Sequence, residues 1–327
     1  MKTRAALLHE DLRLEIGERE LPEPGGDEAR VRVEWAGLCG SDLHVMRTGA
    51  WVETWPATLG HEVFGSVESA GGEVDLEPGT RVVIDSRLPC LRCETCADDP
   101  DACSSLHFLG EARPGGFADY VMAPRRSLHA VPDHLPGEDA VLAEPLAVVL
   151  HAMAALEAPP EQSLILGAGP IGALAHIELL RRFPDARVSV IERAPLRAEL
   201  AAALGARLAR SASEPGDERF DLVIEAAGYE GALSDAVHAA GPGATVLALA
   251  ISDRAEPIRP IDLIEKRITI RGFNAFVDEL PQAIDRLTAE AWRYRPIVTE
   301  AISLDELPPM VARQLAEPEA VKVLVHP

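Results

Sequence analysis

Residues 163–180 read SLILGAGPIGALAHIELL. The stretch opens as an uninterrupted apolar run, as a strand buried on both faces requires, and closes with apolar residues at helical spacing. Between the two, Gly167, Gly169 and Gly172 form G-x-G-x-x-G. In such a turn Gly167 permits the tight bend, Gly169 lets the backbone approach a pyrophosphate, and Gly172 allows the helix to pack closely on the strand. Pro170 and Ile171 open the helix, whose free N–H groups and dipole attract an anion. Twenty residues past Gly172, Glu192 ends the next strand-like run, RVSVIE. A carboxylate there can bind the ribose hydroxyls of NAD. Arg193 and Arg197 follow closely and would suit the 2′-phosphate of NADP. NAD is expected, with NADP as the alternative.

Working outward, from Ser163 the chain alternates short buried strands (SLILGAG, RVSVIER, FDLVIEAAG, ATVLALA, ITIRGF) with helical segments, which predicts βαβ units and a parallel sheet. Upstream, residues 1–135 show short strand-like runs (ARVRVEWAG, FGSVESAG, RVVID, FADYVMAP) broken by Gly and Pro, the pattern of a β-rich unit. The closing run AVKVLV needs a sheet to join. The expected architecture is therefore discontinuous: a β-rich domain over 1–146 and 276–327 enclosing a Rossmann domain over 147–275. Residues 211–219, SASEPGDER, read as a polar loop.

The chain has 327 residues, with 31 Lys plus Arg against 53 Asp plus Glu, a formal charge of -22. Such a balance argues against nucleic acid, whose binding needs a cationic face that releases counterions. The N-terminal 24 residues lack the apolar core of a signal peptide, and the longest apolar stretch, AVLAEPLAVVLHAMAAL, is broken by Glu144, Pro145 and His151. A cytoplasmic protein without a membrane partner is expected. In a reducing compartment, clustered cysteines point to metal rather than to disulfides.

Such a cluster is present. PCLRCETCADDPDACSSL places Cys90, Cys93, Cys96 and Cys103 at C-x2-C-x2-C-x6-C in a lobe of about residues 88–105. Four thiolates can close a tetrahedron around zinc with no open position, which is a structural arrangement; an iron–sulfur centre is the alternative. The centre would be formally dianionic, so nearby backbone N–H groups should support it. The fifth cysteine, Cys39, stands in GLCGSDLH, residues 37–44. Taken alone it offers a nucleophile, half of a disulfide, a metal ligand or a small buried side chain, and the last is favoured because free cysteine is among the most buried residue types.

GLCGSDLH, GHEVFGSVESAG, the four-cysteine lobe, GGFADYV, AEPLAVVLHA, GAGPIG, IEAAG and AVKVLV occur in this order almost end to end. With them the chain resembles the zinc-dependent medium-chain alcohol and polyol dehydrogenases, in their sorbitol and threonine dehydrogenase-like branch. The resemblance implies a GroES-like catalytic domain joined to a Rossmann domain, and two zinc ions per subunit. It implies that Cys39, His61 and Glu144 bind the catalytic zinc, with Glu62 beside the metal as an alternate or water-mediated ligand. A thiolate and a carboxylate would neutralise the ion, and an open fourth position could lower the pKa of a bound alcohol towards ~7. Ser41 is then placed to take the alcohol proton and His44 to pass it through the cofactor ribose. The chain departs from the family in a last cysteine interval one residue shorter than the usual seven, and in overall length.

The expected activity is hydride transfer between a secondary alcohol, polyol or amino alcohol and NAD, with an alcohol or ketone as the small-molecule partner, in a homodimer or homotetramer. A zinc-free quinone or enone reductase on the same fold would lack the proposed ligands. An NADP-dependent carbonyl reductase and a non-catalytic NAD(H)-binding protein are the remaining alternatives. Trp51, Trp55 and Phe108 are candidates for the substrate-pocket walls.

Overall fold

The computed structural model describes residues 1–98, 103–211 and 219–327. Residues 99–102, inside the expected cysteine lobe, and 212–218, most of the expected polar loop, lie outside the described residues.

The apolar runs after Ser163 build a six-stranded parallel sheet. Across it lie Arg207–Leu208, Arg187–Ile191, Gln162–Leu166, Phe220–Glu225, Ala240–Ala248 and Thr269–Gly272. From Gln162–Leu166 the chain first steps outward one way and then returns to continue on the other side, from Phe220–Glu225. That reversal opens a crevice at the carboxyl ends of the two central strands, where open α/β sheets bind ligands. Leu164, Ile165 and Leu166 are fully buried. Helices cover both faces, so the strand reads as continuous apolar sequence rather than alternating.

The second sheet has seven strands. Its path runs Val298–Ser303, Lys322–His326, Glu28–Leu38, Glu62–Ala70, Arg81–Ile84, Leu128–Ala130, with Tyr120–Pro124 also pairing Glu28–Leu38. Strand Glu28–Leu38 meets three partners because it is eleven residues long: Tyr120–Pro124 uses its first half and Lys322–His326 its end. A hairpin of Lys2–Leu8 and Leu14–Glu20 stands beside it.

Helix Ala143–Ala154 joins the two sheets and is buried along most of its length. Its Pro145 lies in the first turn, where a missing N–H costs nothing. One apolar cluster runs from Phe64 and Val83 of the seven-stranded sheet through this helix to Ile165 and Leu174 of the six-stranded unit. Helix Glu279–Tyr294 packs on the same region. Its buried Tyr294 hydroxyl donates to Glu178, and Arg295 pairs with the buried Asp139. Among the described residues no helix is long and apolar enough to cross a membrane.

Candidate active site

The turn after Leu166 has the geometry its glycines require. Gly167 has a φ of 87°, and a Cβ there would meet Ala227 Cα at 2.9 Å. A Cβ on Gly172 would lie 1.9 Å from the Gly167 oxygen, which rules out any larger residue. The Glu192 carboxylate accepts N–H bonds from Ala168 at 2.8 Å, Arg193 at 2.7 Å and Ala194 at 2.9 Å. It thereby stitches the end of one strand to the glycine turn of its neighbour. The Arg193 guanidinium lies over the Tyr229 ring, 5.2 Å from its centroid.

Two cavities open along the crevice. One of about 750 Å³ is lined by Gly167, Glu192, Arg193 and Tyr229. The other, about 400 Å³, has Cys39, Ser41, His44 and Glu62 on one wall and Gly169, Pro170 and Ile171 on the opposite one. Both include Gly169, Ala226 and Arg197, so an extended two-headed ligand can occupy them together.

Cys39 follows strand Glu28–Leu38 directly and caps helix Gly40–Thr48 from an extended backbone. Asp42, at the third helical position, accepts the Cys39 N–H at 2.9 Å and the Gly60 N–H at 3.1 Å, and stands 3.5 Å from His61 Nδ1. One buried carboxylate thus sets the positions of both Cys39 and His61. Burial opposes a charge on His61, but Asp42 and Cys39 outweigh it and hold the imidazole pKa well above its ordinary value.

Glu62 begins the next strand opposite Gly37. A Cβ on Gly37 would lie 1.8 Å from Glu62 Oε2, so the carboxylate occupies space that only glycine leaves. Ligand atoms of Cys39, His61 and Glu62 all lie within 4.8 Å of one another. Lys322, fully buried, donates from Nζ to the Leu38 oxygen at 3.2 Å and forms an ion pair with Glu62. Glu62 Oε2 faces the Lys322 ammonium, and Oε1 has no partner among the described residues. Glu144 is buried nearby in the first turn of its helix and accepts the Ser86 hydroxyl at 3.0 Å. Burial pushes its carboxyl pKa up to about 7.

In the cysteine lobe, the sulfurs of Cys90, Cys93, Cys96 and Cys103 also lie within 4.8 Å of one another. The Cys90–Cys96 and Cys93–Cys96 separations are 3.7 and 3.2 Å. A zinc tetrahedron with bonds of about 2.3 Å has sulfur–sulfur edges of about 3.8 Å, so the group fits. Backbone N–H groups of Cys90 and Ser105 point at Cys103 Sγ, and that of Cys96 at Cys93 Sγ, at 3.3 to 3.4 Å. These are the donors an anionic centre needs.

Residues 25–133 match the family model of the alcohol dehydrogenase GroES-like domain, and residues 137–326 that of the glucose dehydrogenase C-terminus. The chain belongs to the zinc-type medium-chain polyol dehydrogenases. Sorbitol dehydrogenase of Bacillus subtilis (strain 168) is 29% identical over 345 residues, spanning 99% of this chain and 97% of that one. A short chain alcohol dehydrogenase of E. coli CFT073, solved with NADH, has a TM-score of 0.90 at 27% identity, with 99% of each chain covered. A Sinorhizobium meliloti 1021 protein bound to NADP superposes with a TM-score of 0.91 at 29% identity over 100% of both chains.

In this dehydrogenase the structure places Cys39, Ser41 and His44 on the wall of one cavity, with His61 behind them against Cys39 and Asp42. Of the two carboxylates, Glu62 is the one whose oxygen lies within 4.8 Å of the ligand atoms of both Cys39 and His61, and Glu144 is buried nearby. Glu62 is held over Gly37 and paired with Lys322, and Glu144 takes the Ser86 hydroxyl on one oxygen. The expected pocket walls differ too. None of Trp51, Trp55 and Phe108 lines the 400 Å³ cavity; Trp51 instead stacks on His44 at 4.9 Å, and Trp55 packs into the core of the seven-stranded unit. Sequence reasoning passed over Asp42, Ser86 and Lys322. Lys322 did leave a signal, a single charge inside the apolar run AVKVLV.

Proposed function

We propose that this enzyme is a zinc-dependent, NAD-linked dehydrogenase of a secondary alcohol carried on a polyol or amino alcohol. The observation that carries the reading is the placement of Cys39 and Glu62, with His61 within ligand distance of both, across a single cavity from the glycine turn at Gly169. A hydroxyl-bearing carbon held there faces both a metal-ligand set and a dinucleotide-binding turn.

The donor set fits zinc: a thiolate, an imidazole and a buried carboxylate with one oxygen, Oε1, left without a partner among the described residues. Cys39, His61 and Glu62 would hold the catalytic ion, with Glu144 as a second carboxylate in reserve, and the four lobe cysteines a structural ion. Zinc supplies Lewis acidity that lowers the pKa of an alcohol. Ser41, buried two residues after Cys39, would take the alcohol proton, and His44, one helical turn on, would release it towards solvent. The Trp51 ring against His44 fixes the imidazole for that role.

Glu192 supports NAD. Its carboxylate is anchored by three N–H groups at the strand end, so a 2′-phosphate would have to approach a fixed negative charge. Sheet membership supports residues 1–146 with 276–327 as the catalytic unit and 147–275 as the nucleotide unit. The free edge of Thr269–Gly272, beside the exposed Ile261 and Ile264, supports a homodimer or a tetramer of dimers. The five free thiols suit a reducing compartment such as the cytoplasm.

The test is a panel of polyols, cyclitols, amino alcohols and simple secondary alcohols, assayed with the zinc-loaded protein by NADH absorbance. Turnover of at least one class, lost on chelation and restored by zinc, is the expected result. Dinucleotide binding without turnover on any of them, or in the reverse direction with the ketones, would refute the reading.

A further inference from the structure

Arg197 sits where the two cavities meet, on helix Pro195–Ala203 of the nucleotide unit. Its Nε and Nη2 donate to the Ala320 carbonyl at 3.0 and 2.7 Å. Ala320 lies across the crevice, two residues before Lys322 and the ion pair with Glu62. Two of the three guanidinium nitrogens are thus spent on a backbone oxygen of the opposite unit, which fixes the plane of the group. The third, Nη1, is 3.6 Å from where a Cβ on Gly169 would be. Gly169 caps helix Pro170–Arg182 without any side-chain cap on its free N–H groups. Among the described residues, Arg197 is the one cationic side chain that lines both cavities.

We infer that Arg197 is the pyrophosphate ligand of the bound dinucleotide and, through Ala320, the latch between the nucleotide unit and strand Lys322–His326. The inference rests on the dinucleotide reading above. A pyrophosphate crossing the glycine turn passes over Gly169. The helix N-terminus offers about half a positive charge to a group that carries two negative ones, so a fixed guanidinium supplies what the dipole lacks. The same geometry takes Arg197 out of competition for a 2′-phosphate. That group would hang at the Glu192 end of the larger cavity, while the uncommitted nitrogen of Arg197 faces Gly169. The role expected for Arg197 from its spacing behind Glu192 is thereby moved from one phosphate to another.

The experiment compares adenosine, ADP and 2′,5′-ADP as competitors of NADH, read by NADH fluorescence, in the wild-type holoenzyme and in Arg197→Ala. Loss of one charge-assisted hydrogen bond should weaken ADP and NADH roughly 10- to 100-fold and leave adenosine unchanged. Where the alanine variant is too unstable, Arg197→Gln, which can still donate to Ala320, decides by the same ratio of ADP to adenosine. A loss confined to 2′,5′-ADP would overturn the inference in favour of a 2′-phosphate clamp. Equal losses for adenosine and ADP, or no loss for either, would reduce Arg197 to the latch alone. Failure of the wild-type protein to bind NADH or NADPH would instead refute the dinucleotide reading itself.

Discussion

Lys322→Met in the chelator-treated protein isolates the largest electrostatic commitment at the candidate metal site. Lys322 and Glu62 are 0% and 1% exposed, so their pairing is screened neither by water nor by salt. An exposed pair would be worth less than about 1 kcal/mol. Removing one member of a buried pair leaves the other as an uncompensated charge, at a cost of about 3–5 kcal/mol. Methionine fills the volume of the lysine stem, so the cavity contribution is small. With a urea dependence of about 3 kcal/mol per molar, the unfolding midpoint should fall by about 1–2 M. The double variant Lys322→Met with Glu62→Gln removes both charges and should recover most of that loss, because two neutral groups no longer demand solvation. The assay is urea unfolding followed by tryptophan fluorescence for wild type, both single variants and the double. A shift of under about 0.3 M for Lys322→Met, or a double variant as unstable as the single, would show that the pair is not an isolated buried couple.

Three other outcomes follow from the same geometry. Cys93→Ser should remove about one zinc per chain and lower the melting temperature, since the closed tetrahedron loses a ligand; metal analysis with calorimetry reads both, and an unchanged zinc content would contradict a structural ion in the lobe. Glu62→Gln should lower zinc affinity at the catalytic centre roughly 10- to 100-fold, more than Glu144→Gln does, as measured by chelator competition; the reverse order would restore Glu144 as the third ligand. His176 is buried in helix Pro170–Arg182 with neither ring nitrogen hydrogen-bonded, and burial lowers its pKa from 6.5 to about 4. The unfolded chain therefore binds a proton that the folded one refuses, so stability present above pH 6.5 is lost as pH falls towards about 4. His176→Leu should flatten that part of the profile in urea unfolding at stepped pH, and an unchanged slope would refute it.

The sequence by itself determined the features whose physics is local. G-x-G-x-x-G demands a strand, a turn and a helix because Gly167 must take a left-handed φ and Gly172 must pass close to the Gly167 oxygen five residues before it. The apolar runs after Ser163 announced a parallel sheet because both faces of such strands are covered. The lobe cysteines fall within fourteen positions, so their spacing alone brings four sulfurs to one point. Tertiary structure decided what depends on chain segments far apart. Lys322 reaches Glu62 only because strand Lys322–His326 pairs with the end of Glu28–Leu38, a contact across nearly the whole chain. Glu62 packs over Gly37 and Glu144 accepts from Ser86, and neither carboxylate is near its partner in sequence. Arg197 was legible as a cation behind Glu192, but its hold on Ala320, a backbone oxygen that no side-chain pattern records, came only with the fold. Side-chain identity encodes periodicity, charge and metal affinity; a carbonyl or a vacant Cβ position acquires meaning only when folding brings a distant side chain against it.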